Sequence, residues 1–137
     1  MGRLAREGAR FFPGFRSAKG EDLVLKRNLF IEGVLPNSTL RKLSDDEMGT
    51  YRAPFVKEEN RQPMLNWPRQ IPIAGESTNV VALVEAYADW LRTSPVTKLF
   101  VNADPGSILV GWQRDFCRSW PNQQEVPVTC LHFIQED

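Results

Sequence analysis

Residues 125–137 read E-V-P-V-T-C-L-H-F-I-Q-E-D. Val126, Val128 and Cys130 alternate with Pro127 and Thr129, the period-two pattern of a short strand. Just past the end of that run stands His132, the only histidine in the sequence. Open α/β sheets place reactive groups on loops beyond the C-terminal ends of their strands. A lone histidine is also, often, an ordinary surface or core residue. What precedes the strand decides between the two.

Working back from it, Val80, Leu83, Val84, Tyr87, Trp90 and Leu91 recur at three- and four-residue spacing, which predicts a helix over 78–91. Ser77 or Thr78 can cap it, Pro95 ends it, and its aromatic stripe is expected to pack in the core. K-L-F-V-N over 98–102 reads as a short apolar strand, followed by a turn at Ala103-Asp104-Pro105-Gly106. Phe116, Cys117 and Trp120 suggest a helix over about 112–120, closed by Pro121-Asn122. Residues 78–132 thus alternate helix, strand, helix, strand and then His132, which predicts a parallel sheet with right-handed crossovers.

The first seventy residues carry no strand pattern. An apolar stretch over 1–16, broken by Pro13-Gly14, suggests a short helix and a turn. Over 21–35, Leu23, Phe30 and Val34 fall near one helical face, with acids at Glu21 and Asp22 and Pro36 past the end, so one helix is expected. Ser44-Asp45-Asp46-Glu47 fits a capping box ahead of Met48 and Tyr51. Lys57 to Arg61 reads as a solvated charged run, and Pro63, Pro68 and Pro72 predict an extended loop over 62–75. A helical, proline-rich segment followed by the end of an α/β sheet reads as a lid on a catalytic core. Residues 1–74 are assigned to that helical cap and residues 75–137 to the C-terminal part of the core.

Bulk properties narrow the function. Hydrophobic residues make up 42% and charged residues 25%, a globular composition. Seventeen Lys and Arg balance seventeen Asp and Glu, which leaves no general electrostatic case for nucleic acid or anionic lipid. Cys117 and Cys130 lack metal-ligand spacing and suggest buried thiols in a reducing compartment. No apolar run has the length of a membrane span, and the N-terminal residues do not form a secretory signal, so a cytoplasmic location is expected. The chain opens inside a helix-like pattern and stops soon after its most site-like segment, so a truncated domain is expected.

Four strings carry a resemblance: N-L-F-I-E-G-V-L-P over 28–36, R-Q-P-M-L-N-W-P-R-Q-I-P-I-A-G over 61–75, K-L-F-V-N-A-D-P-G over 98–106 and H-F-I-Q-E-D over 132–137. Together they resemble haloalkane dehalogenases, from about Phe12 to the end, and look closest to the subgroup that degrades chlorinated cyclohexenes. Renilla-type luciferase, a coelenterazine oxygenase on the same fold, shares W-P-R-x-I-P, the D-P-G turn and H-F-x-Q-E-D. The resemblance implies an α/β-hydrolase fold, of which this chain holds the last two parallel strands with flanking helices and an all-helical cap before them.

It also implies a reaction. In that family an Asp carboxylate displaces halide, a histidine activates the water that hydrolyses the resulting ester, and an acid orients the histidine. Trp and Asn N–H groups stabilise the leaving halide. By resemblance His132 is the general base. The nucleophile, the halide-binding pair and the subgroup's acid lie upstream of the lid in the family, and no H-G-N-P or D-W-G string occurs here. Asp104 lies one residue before Pro105, the position where some relatives carry the acid; it could orient His132 or serve only its turn. Phe12, Phe30, Val34 and Ser38 would line a substrate tunnel, with Pro68 and Ile71 near its halide end and Ser107 and Ile108 near its mouth. Ordinary packing would equally account for each of them. The expected partners are a small halogenated hydrocarbon, water and a missing N-terminal half, with no cofactor and no metal. The implied role is a detoxifying hydrolase when complete. A catalytically inactive truncated paralogue and a Renilla-luciferase-like oxygenase are the alternatives.

Overall fold

The computed structural model describes residues 14–73 and 77–137. The expected helix over 1–16 lies largely outside them, as does Phe12.

The predicted helix over 21–35 is instead two wide single turns, Asp22–Lys26 and Phe30–Val34, closed by Arg27 N–H to the Asp22 carbonyl (3.0 Å) and Leu35 N–H to the Phe30 carbonyl (2.9 Å). Between them the buried Asn28 takes φ 50°, a left-handed conformation that its short polar side chain tolerates and that no continuous right-handed helix can contain. Helix α1, Asp45–Arg52, starts on the capping box read from the sequence. Ser44 Oγ accepts the Glu47 N–H, and the Glu47 carboxylate accepts the Ser44 N–H.

The extended loop expected over 62–75 is a correction. Residues Gln62–Gln70 form helix α2. Pro63 sits in the first turn, where its missing N–H is not needed. Pro68 falls within the last turn, so it removes a single bond near the end of the helix. The Arg16 Nη1 then donates to the carbonyls of Pro68 (3.1 Å), Arg69 (3.2 Å) and Ile71 (2.7 Å), placing a cation on the helix C-terminus. The run Lys57 to Arg61 is also less free than expected. Arg61 reaches back to donate to the carbonyls of Phe55 (2.8 Å), Val56 (2.9 Å) and Lys26 (3.2 Å).

Helix α3, Thr78–Thr93, follows the predicted periodicity, but two expectations about it fail. Ser77 lies at φ 60° and makes no side-chain cap. The stripe assigned to the core is exposed: Leu83 is 56%, Tyr87 59% and Trp90 52% accessible. No described element covers that face, which is why helical periodicity alone could not show burial.

Strand β1, Lys98–Pro105, runs three residues past the predicted 98–102, and β2 is Gln123–Cys130. They pair in parallel, Lys98 opposite Gln123 through Pro105 opposite Cys130. Asp104 and Pro105 are therefore strand residues, and the reversal begins at Gly106, φ 68°. A Cβ at Gly106 would meet the Ala103 carbonyl at 2.6 Å, so only glycine fits. Helix α4, Trp112–Arg118, makes the crossover between the strands.

The buried core sits mainly in the helical half. Phe15, Val24 and Leu65 form one cluster, flanked by Phe30 and Val34. Ile31, Leu35, Leu43 and Met48 form another, and Phe133, from beyond β2, packs against it. Cys117 and Cys130 are buried free thiols whose pKa values burial pushes up.

Candidate active site

His132 owes its place to three local causes. Strand β2 ends at the buried Cys130, and the buried Leu131 ties down the next residue, so the chain leaves the sheet at His132. The backbone then turns against the helical half: the Ser38 carbonyl accepts the N–H of His132 (3.0 Å) and of Phe133 (3.3 Å). Phe133 sets its ring edge-on to the imidazole at 5.0 Å. His132 remains open to solvent on one side, yet partial desolvation by the surrounding chain pulls its pKa below the ordinary histidine value. At neutral pH the imidazole is therefore mostly uncharged, the form that can accept a proton from water.

The other expected site residues fall into three groups. Ser38 is brought to His132 through its carbonyl. Phe30 and Val34 are half-buried against the Phe15–Val24–Leu65 cluster, with Phe30 stacked on Phe15 at 4.8 Å. Pro68 is fully buried on α2, and Ile71 is half-buried just past it. Ser107 and Ile108 lie on the loop after β1, the latter exposed. Asp104 is exposed opposite Thr129, and among the described residues no hydrogen bond joins it to His132.

The structure also brings together residues that the spacing did not single out. The Arg41 Nη2 donates to Glu47 (2.8 Å) and to Glu136 (2.9 Å), and its Nε to the Glu136 carbonyl. Tyr51 donates its hydroxyl to the Glu136 carboxylate. Asp137 Oδ1 accepts the N–H groups of Leu40 (2.7 Å) and Arg41 (3.2 Å), and Oδ2 that of Leu131 (3.1 Å). The Arg41 guanidinium, helped by the Ser44 N–H, holds the Glu47 carboxyl down to about 2. The clue in the sequence was the pair of acids ending H-F-I-Q-E-D, which otherwise reads as a solvated tail.

A shallow, open hollow lies beside this network, bounded by Arg41, Lys42, Leu43, Ser44, Asp45 and Glu47; it is polar and contains none of the expected tunnel residues. Among the described residues no group of three His, Cys, Asp or Glu side chains is placed to hold a metal ion, and no helix is long and apolar enough to cross a membrane.

No family model matches the chain. Individual relatives do. Haloalkane dehalogenase of Sphingobium indicum is 57% identical over 127 residues, covering 92% of this chain and 43% of the relative. Coelenterazine h 2-monooxygenase of Renilla reniformis is 40% identical over 129 residues, covering 89% of this chain and 40% of its own length. Among solved structures, haloalkane dehalogenase DbeA from Bradyrhizobium elkani superposes with a TM-score of 0.90 at 36% identity, over 96% of this chain and 46% of that one. The chain spans less than half the length of the relatives it matches. By sequence and by fold it is a homologue of part of the haloalkane dehalogenases, carrying a C-terminal portion of their α/β-hydrolase fold.

Proposed function

We propose that the chain serves as the lid and C-terminal part of a haloalkane-hydrolysing enzyme and is inactive by itself. The observation that carries this reading is the 57% identity to a dehalogenase across 92% of the chain, with His132 standing just past the last strand. Residues 1–74 act as the helical cap and residues 75–137 as the end of the catalytic core. An Asp carboxylate, supplied by the part of the fold that this chain does not match, attacks the carbon bearing the halogen; the halide leaves with the bonding pair and an alkyl ester forms. His132 takes a proton from water as the water oxygen attacks the ester carbonyl, releasing the alcohol and restoring the carboxylate. Phe30, Val34, Pro68 and Ile71 supply apolar wall from the cap, as a haloalkane requires. Phe12 and Ser38 are assigned to the same wall, and Ser107 and Ile108 to its mouth. Asp104 is the candidate in this chain for orienting the imidazole. The reaction uses water and no cofactor, a detoxifying role follows from the substrate class, and the two free thiols suit the reducing cytoplasm.

The test is reconstitution. The 137-residue chain should release no bromide from 1-bromobutane, whereas mixing it with the portion of the Sphingobium indicum dehalogenase that it does not match should restore release. His132→Ala should abolish the restored activity. Bromide release by the chain alone would refute the inactivity claim, and failure of the folded mixture would refute the dehalogenase reading. The 40% match to the Renilla oxygenase supports a second reading. Light emission from the mixture on adding coelenterazine, without bromide release, would establish it.

A further inference from the structure

We infer that Arg41, Tyr51, Glu136 and Asp137 form a latch that positions His132 by fastening the turn after β2 to the start of helix α1. The inference rests on His132 being the general base of the proposed reaction.

The latch grips His132 from both sides. Before it, Leu131 N–H donates to Asp137 Oδ2 at 3.1 Å. After it, the Glu136 N–H closes a tight turn on the Phe133 carbonyl at 2.9 Å, bringing Glu136 and Asp137 back toward the histidine. Asp137 Oδ1 takes the N–H groups of Leu40 and Arg41, so one carboxylate joins the His132 turn to the segment that follows Ser38. Ser38 itself holds the His132 and Phe133 amides. Partial desolvation pushes the Asp137 carboxyl up, but the N–H donors of Leu131, Arg41 and Leu40 outweigh it and bring the group below its ordinary value. It is therefore a charged acceptor, and such bonds are the stronger kind.

Glu136 fixes the second point. Its carboxylate is mostly shielded from solvent and receives both the Arg41 guanidinium and the Tyr51 hydroxyl, which ties it to α1. Arg41 also pairs with Glu47, the capping-box residue at the start of the same helix. The imidazole makes no hydrogen bond to any described side chain, so its position depends on the backbone turn that carries it. These are positioning residues; none of them touches a reacting atom.

His132 is the sole histidine, so a single Hε1 resonance reports its imidazole, and its protonation can be followed in the full chain without assignment ambiguity. Asp137→Ala should speed hydrogen exchange at the His132 and Phe133 amides by about ten-fold while leaving the sheet amides of Asn102 and Val128, both paired across the two strands, unchanged. Tyr51→Phe, which removes one hydroxyl, should give about five-fold. Asp137→Asn keeps one acceptor oxygen and should fall between wild type and alanine. In Asp137→Ala the imidazole pKa should rise toward the ordinary histidine value as the freed turn moves into water. Simple loss of the Asp137 charge would lower it instead, so the sign separates repositioning from electrostatics. Unchanged exchange at 132 and 133 in both Asp137→Ala and Tyr51→Phe would overturn the latch. So would exchange that rises equally in the sheet, or an imidazole pKa that falls. Bromide release by the reconstituted protein tests the dehalogenase reading separately, because it can fail while the latch holds.

Discussion

Ser44 and Glu47 show how far a single side chain decides local structure here. Each satisfies the other's backbone N–H at the start of α1, where the first turn has no internal acceptors. Ser44→Ala should lower stability by about 1 kcal/mol in urea unfolding. Glu47 also gives a pH signature. Its carboxyl titrates at about 2 in the folded chain, with the Arg41 guanidinium as the main cause, against 4.5 for the ordinary group. A depressed folded value means that the contribution is fully present above about pH 4.5 and is lost as the pH falls through about 2. Glu47→Gln should therefore flatten the acid limb of stability between those values and leave the behaviour above pH 6 parallel to wild type. An acid limb that is unchanged in Glu47→Gln would show that the pair contributes nothing to folding.

Helix α2 is the element whose packing matters most and whose sequence misleads most. Leu65 is almost completely buried against Phe15 and Val24, so Leu65→Ala leaves a cavity and should cost about 3 kcal/mol by thermal or urea unfolding. Three prolines in eleven residues argued for an extended loop, and each of them does constrain the backbone. Two stand where a helix tolerates them, and Arg16, more than fifty residues away, supplies the donors at its end. That compensation is a tertiary contact and has no local trace. The same limit explains the split at Asn28, where a polar residue at φ 50° interrupts an otherwise acceptable helical pattern. The alternation of helices and strands over 78–130 was legible because hydrophobic period and breaker residues are local signals. His132 was legible for the same reason, as a histidine just past a strand. The latch was not, because the bonds that tie Glu136 and Asp137 to Leu40, Arg41 and Tyr51 join residues 85 to 97 positions apart.

At the scale of the whole molecule, the apolar face of α3 and the Leu99 side chain of β1 remain without cover among the described residues. Leu83, Val84, Tyr87 and Trp90 form one apolar face, and Leu99 on β1 is 68% exposed. Strand β2 carries Pro127, which has no N–H to offer, so it suits a sheet edge. On strand β1 the amides of Leu99, Val101 and Ala103 point away from β2, so its outer edge is the one able to accept a further strand. Contiguous apolar faces beside an open strand edge associate with whatever can bury them. The relatives are more than twice as long as the matched segment, and the remainder of such a fold is the natural cover. Two opposite effects follow from Leu83→Glu. Burial of one leucine side chain contributes about 2 kcal/mol, so the substitution should weaken binding of the complementary dehalogenase portion by about 30-fold in titration calorimetry. In the chain alone it should raise the monomer fraction measured by sedimentation, because it places a charge in the exposed apolar face through which copies would associate. If Leu83→Glu left both the affinity and the self-association unchanged, the outer face of α3 would be an ordinary surface, and the cover would have to act through the β1 edge instead.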